Sequence, residues 1–387
     1  MPVDTPEVKR RLTALGFDDV RIARIGPAGA PGARDFADWL AAGHQADMAW
    51  LDRSAAKRSD PDLVLPGARS VIMLGVNYWS EALRTPPAGP RWARYALYSD
   101  YHDTIRVALA AAGRELEAVA GIGPADHRYY VDTGPVLERG WAAKAGLGFT
   151  GKNAMLISRR FGNWLFLAAI LTRAELEPDG PVTGRGPEGG PGGASATGRL
   201  CGKCTRCLDA CPTRAFSAPG VVDARRCVSY HTIENRGIIP RELRAGIGDR
   251  LYGCDTCLEV CPWNRFAREG RRMLLHARHD LAGLGLRDIL SLTPEQFAAV
   301  FRGTAIKRLK RTGLLRNACI VAGNLGARDC LEPLAELAAR EVPVVRAHAV
   351  WALHRLNAHT HLAALRAAET DPLVLAEFEA EDPAPRA

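Results

Sequence analysis

The sequence predicts an α+β protein, and three observations carry that prediction. Buried-strand and helix patterns alternate over residues 1–177. Two closely spaced cysteine runs lie between Cys201 and Cys261. Short Ala/Leu-rich helical segments follow from about Leu309. The 387 residues are enough for two to three domains at roughly 150 residues each. A content of 47% hydrophobic and 24% charged residues excludes a mainly disordered chain. Lys plus Arg exceed Asp plus Glu, 51 against 43, and the net charge of +8 leans toward polyanionic partners.

In the first region, Val71-Ile72-Met73-Leu74-Gly75-Val76 follows the turn signal Leu65-Pro66-Gly67 and reads as a buried strand. Thr104 to Val119 has helical apolar spacing. Met155–Ser158 and Trp164–Leu171 flank Phe161-Gly162-Asn163 and read as a hairpin. Trp164–Leu171 is the longest apolar run, eight residues, too short to span a bilayer. The basic patch Lys9-Arg10-Arg11 has no apolar stretch behind it. No export signal is therefore expected, and the predicted location is the cytoplasm, where thiols stay reduced and free to bind metal.

Residues 178–198 hold eight glycines and four prolines, so 178–200 reads as a flexible insert or linker. Residues 201–270 then form the cysteine-rich region. In the C-terminal region, 300–370, Leu315–Ala322 aligns with Val345–Ala352 at a spacing of 30 residues, which suggests HEAT-like helical repeats. Six basic residues and no acidic ones fall within 300–318: Arg302, Lys307, Arg308, Lys310, Arg311 and Arg316. They read either as a solvated face or as a phosphate-contacting patch. The stretch 371–387 reads as an acidic surface tail.

The cysteines carry the most specific chemistry. Cys201-x2-Cys204-x2-Cys207-x3-Cys211-Pro212 is the ferredoxin-type run for a [4Fe–4S] cluster, and Cys227, Cys254, Cys257 and Cys261-Pro262 bring the total to eight. Two-residue gaps let three thiolates converge on one cubane, and the Cys-Pro residue of each run serves the other cluster. Cluster one then takes Cys201, Cys204, Cys207 and Cys261, and cluster two takes Cys211, Cys227, Cys254 and Cys257. Structural zinc also uses Cys-x2-Cys pairs, but it does not require the third cysteine or the Cys-Pro endings. Cys319 and Cys330 read as small buried hydrophobes.

Two clusters move electrons and need an acceptor. The most motif-like segment upstream runs from Val131-Asp132-Thr133-Gly134 to Glu138-Arg139, followed by Lys144-Ala145-Gly146-Leu147-Gly148 and Gly151-Lys152-Asn153. Asp132 follows a strand end and is either a turn former or a proton donor.

Together with Arg94-Tyr95-Ala96, Asp100-Tyr101-His102, Val222–Tyr230, Cys261-Pro262-Trp263-Asn264 and Arg316-Asn317-Ala318, this ordered set resembles the epoxyqueuosine reductases over nearly the whole chain. The resemblance implies a cobalamin-binding first domain of the type shared with reductive dehalogenases. It also implies two [4Fe–4S] clusters fed by a low-potential electron donor, and reduction of the epoxide of epoxyqueuosine at the wobble position of tRNA, the final step to queuosine. It implies that Asp132 is the proton donor and that Arg58, Tyr95, Lys152, Asn153, Ser229 and Tyr230 lie near the corrin. The basic residues from Arg302 to Arg316 would contact tRNA phosphates. A monomer with no membrane association is expected. The competing readings are a reductive dehalogenase-like enzyme, a plain Fe–S electron carrier and an Fe–S protein that only binds tRNA.

Overall fold

The computed structural model describes residues 3–83, 89–182, 197–271 and 274–380. Most of the Gly/Pro-rich insert and residues 381–387 of the expected tail lie outside these. The chain packs as two units, the first from residues 1–82, 100–223 and 256–276 and the second from 83–99, 224–255 and 277–387. The cysteine-rich segment 201–270 therefore contributes to both.

The first unit is built on a four-stranded sheet in the order Asp19–Arg24, Ser70–Asn77, Leu165–Thr172, His127–Val131, with every neighbouring pair antiparallel. All eight residues of Ser70–Asn77 are buried, which explains why its sequence is continuously apolar rather than alternating. One face, carrying Val71, Met73, Ala169 and Leu171, packs against Trp141 and Ala142 of the helix Glu138–Lys144. The other face meets the helix Tyr101–Ala120, where Gly113 lies so close to His127 that an added Cβ would stand 2.6 Å from the imidazole. That helix buries Ile105, Ala108, Leu109, Ala112 and Leu116 on one stripe. It begins at the cap Asp100, whose side chain accepts from the His102 N–H, and ends at Gly121 with φ +63°.

The expected hairpin around Gly162 is not a hairpin. A single bridge joins Ser158 to Gly162. Leu165–Thr172 instead pairs with Ser70–Asn77 and His127–Val131, while Leu156–Ile157 pairs with Phe149–Thr150. A strand apolar on both faces belongs in the sheet centre, and the turn signal beside it does not choose its partner.

The second unit is largely helical, with one short parallel pair, Arg91–Trp92 with Arg250–Tyr252. The repeat-bearing segments fall in the helices Lys310–Leu325 and Pro343–Arg355, which pack against each other. Leu331–Arg340 and Pro372–Glu379 pack on the second of these. The described part of the expected surface tail is thus a docked helix. Val374 is buried, and Glu377 forms ion pairs with Arg241 and Arg244. Cys319 and Cys330 are buried as expected. Among the described residues, no helix is long and apolar enough to cross a membrane.

Candidate cluster and active site

In the first unit, Cys201, Cys204, Cys207 and Cys261 line one cavity of about 220 Å³. These are the four thiols that the spacing assigns to cluster one. Gly202, with φ +56°, turns the chain between the first two. Cys207 lies in the short helix Arg206–Asp209, and Cys261 caps the turn Pro262–Phe266. Burial pushes the Cys207 thiol up to about 11 and shifts Cys201 upward. A bound metal group would offset the charge of thiolates held in such a place. Among the described residues, no three His, Cys, Asp or Glu side chains converge on a single ion. Four thiols on one cavity match the donor set of a [4Fe–4S] cubane.

Lys152 and Asn153 stand at this cavity. The Lys152 Nζ donates to the carbonyls of Gly202 at 2.7 Å and Cys204 at 3.1 Å. Asn153 donates to Asn163 Oδ1 at 2.9 Å and to the Cys257 carbonyl at 3.3 Å. Asn163 donates to Asn264, which donates to the Leu258 carbonyl. This amide ladder fastens the cluster loops. Lys152 and Asn153 both take part in this fastening. Of the second cluster's thiols, Cys211 and Cys257 belong to the first unit and Cys227 and Cys254 to the second. Cys211 Sγ accepts from the Ala215 N–H at 3.2 Å.

Asp132 follows directly on the strand His127–Val131 and adopts φ +57°, in the left-handed region. A non-glycine residue there marks a functional candidate. Gly134 lets the loop close, because a Cβ at that position would lie 2.2 Å from the Tyr130 ring. The Asp132 side chain is 63% exposed. Its Oδ2 accepts from the Tyr101 hydroxyl at 2.7 Å and lies 3.3 Å from His102 Nε2. His102 Nδ1 lies 2.7 Å from Asp100 Oδ1. Tyr101 stacks between the rings of His102 and Phe166. Burial works to lower the His102 pKa, but its hydrogen bonds to Asp100 and Asp132 outweigh that and raise it to about 9. The Asp-Tyr-His motif was visible in the sequence without a role. Three chemically active side chains at a helix start were the available signal.

Arg58 is buried, donating to the Val136 carbonyl at 3.0 Å and to Ser54, with its guanidinium over Trp50. Burial lowers its pKa, against the pull of Glu138 and Asp132. Glu138 keeps one carboxyl oxygen shut from solvent with no hydrogen-bond partner, and burial raises its pKa to about 8. The sequence reading missed it, because an isolated Glu at a helix start usually serves the helix dipole. Tyr95, Ser229 and Tyr230 lie in the second unit. There Tyr95 packs near Tyr252, and Tyr230 is buried edge-on to His231.

Arg302, Lys307, Arg308 and Lys310 are exposed. Arg308 pairs with Glu234 at 2.9 Å, and half-buried Arg311 pairs with Glu341 at 2.7 Å. Arg316 does not belong to this surface. It is buried and donates to the carbonyls of His231, Asn235 and Gly237. At 100° per residue, the helix turns Arg316 into the core.

Four thiols around a cavity, and an acid–base cluster at the end of a sheet strand, define an iron–sulfur oxidoreductase. Comparison with known proteins makes this specific. The family model of the 4Fe-4S double cluster binding domain matches residues 200–264, and that of epoxyqueuosine reductase QueG, DUF1730, matches residues 58–133. The epoxyqueuosine reductase of Xanthomonas campestris pv. campestris is 38% identical over 322 residues, 81% of this chain and 86% of that protein. That of Aliivibrio fischeri is 38% identical over 324 residues, 82% of each. Among solved structures, an epoxyqueuosine reductase with an epoxyqueuosine-modified tRNA-Tyr stem loop matches with a TM-score of 0.81 at 28% identity, covering 97% of this chain and 96% of that one. The Streptococcus thermophilus enzyme matches with a TM-score of 0.82 at 26% identity, covering 97% of each. The chain belongs to the epoxyqueuosine reductase family, oxidoreductases that reduce epoxyqueuosine in tRNA, and it carries the family's two-cluster [4Fe–4S] domain.

Proposed function

We propose that Asp132 is the proton donor in the reduction of the wobble-position epoxide to queuosine. The observation that carries this reading is the placement of Asp132. It is held in a left-handed conformation at a strand end, exposed, with one oxygen gripped by Tyr101 and His102. The net change adds two electrons and two protons to the epoxide and yields an alkene and water. An alkoxide leaves poorly, so an acid at the departing oxygen supplies catalysis on the order of 10² to 10⁴.

Electrons arrive one at a time from a low-potential donor through the two clusters. Cluster one is held by Cys201, Cys204, Cys207 and Cys261, and cluster two by Cys211, Cys227, Cys254 and Cys257. Bound in the first domain, cobalamin would supply a cobalt corrin able to pass low-potential electrons to a carbon–oxygen bond. Arg58, Tyr95, Lys152, Asn153, Ser229 and Tyr230 are the side chains assigned to hold the corrin. The exposed cations Arg302, Lys307, Arg308 and Lys310 are assigned to tRNA phosphates, on a helical stack of HEAT-like pairs. The enzyme acts as a cytoplasmic monomer.

The test is Asp132→Asn in the holoenzyme, assayed with epoxyqueuosine tRNA. Turnover is expected to fall by about 10² or more, while iron content and the cluster and corrin absorbance stay at wild-type levels. Turnover within a few-fold of wild type removes Asp132 from the mechanism.

A further inference from the structure

We propose that His102 supplies the second proton of the reaction, passing it through Asp132 to the departing oxygen. The inference rests on Asp132 being the first donor and extends that reading to the refilling of the donor.

The need follows from atom balance. When the first carbon–oxygen bond breaks, the oxygen takes a proton from Asp132 and becomes a hydroxyl still attached to the ring. When the second breaks, it must leave as water, not hydroxide. Two electrons enter from the low-potential donor, and a second proton has to reach the same oxygen. After the first transfer, Asp132 is a carboxylate and cannot act again until it is reloaded.

The geometry places a titratable side chain for that task. His102 Nε2 lies 3.3 Å from Asp132 Oδ2, the oxygen that Tyr101 also holds at 2.7 Å. On its far side, His102 Nδ1 lies 2.7 Å from Asp100 Oδ1. The ring is thus strung between two carboxylates, and stacking on Tyr101 at 4.0 Å fixes its plane. Asp100 accepts from Nδ1–H, so the proton that the imidazolium can give up is the one on Nε2, which faces Asp132. The backbone adds rigidity, since the Asp100 side chain also caps the helix through the His102 N–H.

The charged surroundings agree. The groups acting on His102 are Asp100 and Asp132, with the Tyr101 phenol in ring contact. Arg106 acts on Asp100, and the Glu138 carboxyl couples to Asp132. Once Asp132 has given up its proton, both carboxylates favour the imidazolium, and with a pKa of about 9 His102 holds the proton it is to pass on. At 24% exposure, the side chain can draw a replacement proton from solvent between turnovers. His102 therefore acts through Asp132, while Tyr101 holds the same carboxylate oxygen through its hydroxyl.

The experiment compares His102→Gln, His102→Ala and Asp132→Asn in reconstituted holoenzyme. In His102→Gln, a hydrogen bond to Asp132 remains available while the proton is lost. Turnover at saturating tRNA is expected to fall at least tenfold, with KM within twofold. The alkaline fall in the wild-type rate near pH 9 should disappear, and added imidazole should restore part of the His102→Ala rate. A readout independent of turnover is the ¹⁵N-histidine NMR titration, with the His102 signal assigned by its loss in His102→Gln. That signal is expected to titrate near pH 9 in the wild type and to move toward about 6.5 in Asp100→Asn. A His102→Gln rate within twofold of wild type, or a wild-type His102 titrating near 6.5, overturns the relay. If the His102 variants lose turnover while Asp132→Asn keeps it, the assignment of Asp132 fails instead.

Discussion

Replacing Glu138 with Gln should stabilise this protein, by an amount that grows with pH. The Glu138 carboxyl has one oxygen shut from water and without a hydrogen-bond partner, and Asp132 nearby adds like charge. Burial therefore holds it protonated up to about pH 8, with Arg58 offsetting only part of the penalty. In the unfolded chain the same group ionises near 4.5. The sign follows from linkage: a carboxyl whose native pKa is raised makes the folded state bind the extra proton, so stability falls as pH rises between the two values. At about 1.4 kcal/mol per pH unit, the cost at pH 7 is on the order of 3 kcal/mol. The amide of Glu138→Gln keeps the shape and has nothing to ionise. Urea unfolding of the two proteins in parallel, followed by tryptophan fluorescence under anaerobic conditions, reads the difference. The advantage of the amide variant should widen by about 3 kcal/mol between pH 5.5 and 8.5 and level off above that. A difference that stays constant across this range refutes the reasoning, because it would mean that Glu138 is charged or solvated in the native state. A carboxyl that lowers stability beside Asp132 is the kind of trade that proteins tolerate at a working site and rarely elsewhere.

Three further outcomes follow from the structure. Glu377→Gln leaves Arg244, whose side chain is 0% exposed, without its counter-charge; chemical denaturation should show a loss of about 3–5 kcal/mol, and a loss below about 1 kcal/mol, the scale of an exposed pair, would mean that the C-terminal helix is not docked. Cys261→Ala removes one of the four thiols lining the cavity, so anaerobically reconstituted protein should hold close to four irons per chain in place of about eight; unchanged iron would reassign that ligand. Charge-removing variants of exposed Lys307 and Lys310 should each lower the slope of log affinity for tRNA against log salt by about one, whereas Arg316→Ala should lower stability by leaving the carbonyls of His231, Asn235 and Gly237 without their donor; an unchanged slope for both lysine variants would move the phosphate contacts elsewhere.

What the sequence reveals and what it hides follow a physical line. The cysteine runs were readable because thiol spacing and cluster geometry are both local, and the thiols meant for cluster one do share a cavity. The strand at Val71–Val76 and the helix at Thr104–Val119 were readable because periodicity is local too. Errors arose wherever a side chain's direction or a strand's partner depends on distant chain. The turn at Gly162 has its positive φ, yet the strand after it pairs with residues that precede it by almost a hundred positions. For Lys152 and Asn153, in a segment whose motif character is plain, the structure adds what spacing does not show, that they tie down cluster loops some fifty and a hundred residues away. Arg316 and Glu377 mislead in the same manner. Counted along the chain, one extends a basic run and the other an acidic tail. Placed on helices, both turn inward, and the chain spends a buried guanidinium on three carbonyls and a buried carboxylate on two arginines. Charge patterns read in one dimension identify surfaces only where the helix phase leaves them outside. In this chain that condition holds for Lys307 and Lys310 and fails six residues later, at Arg316.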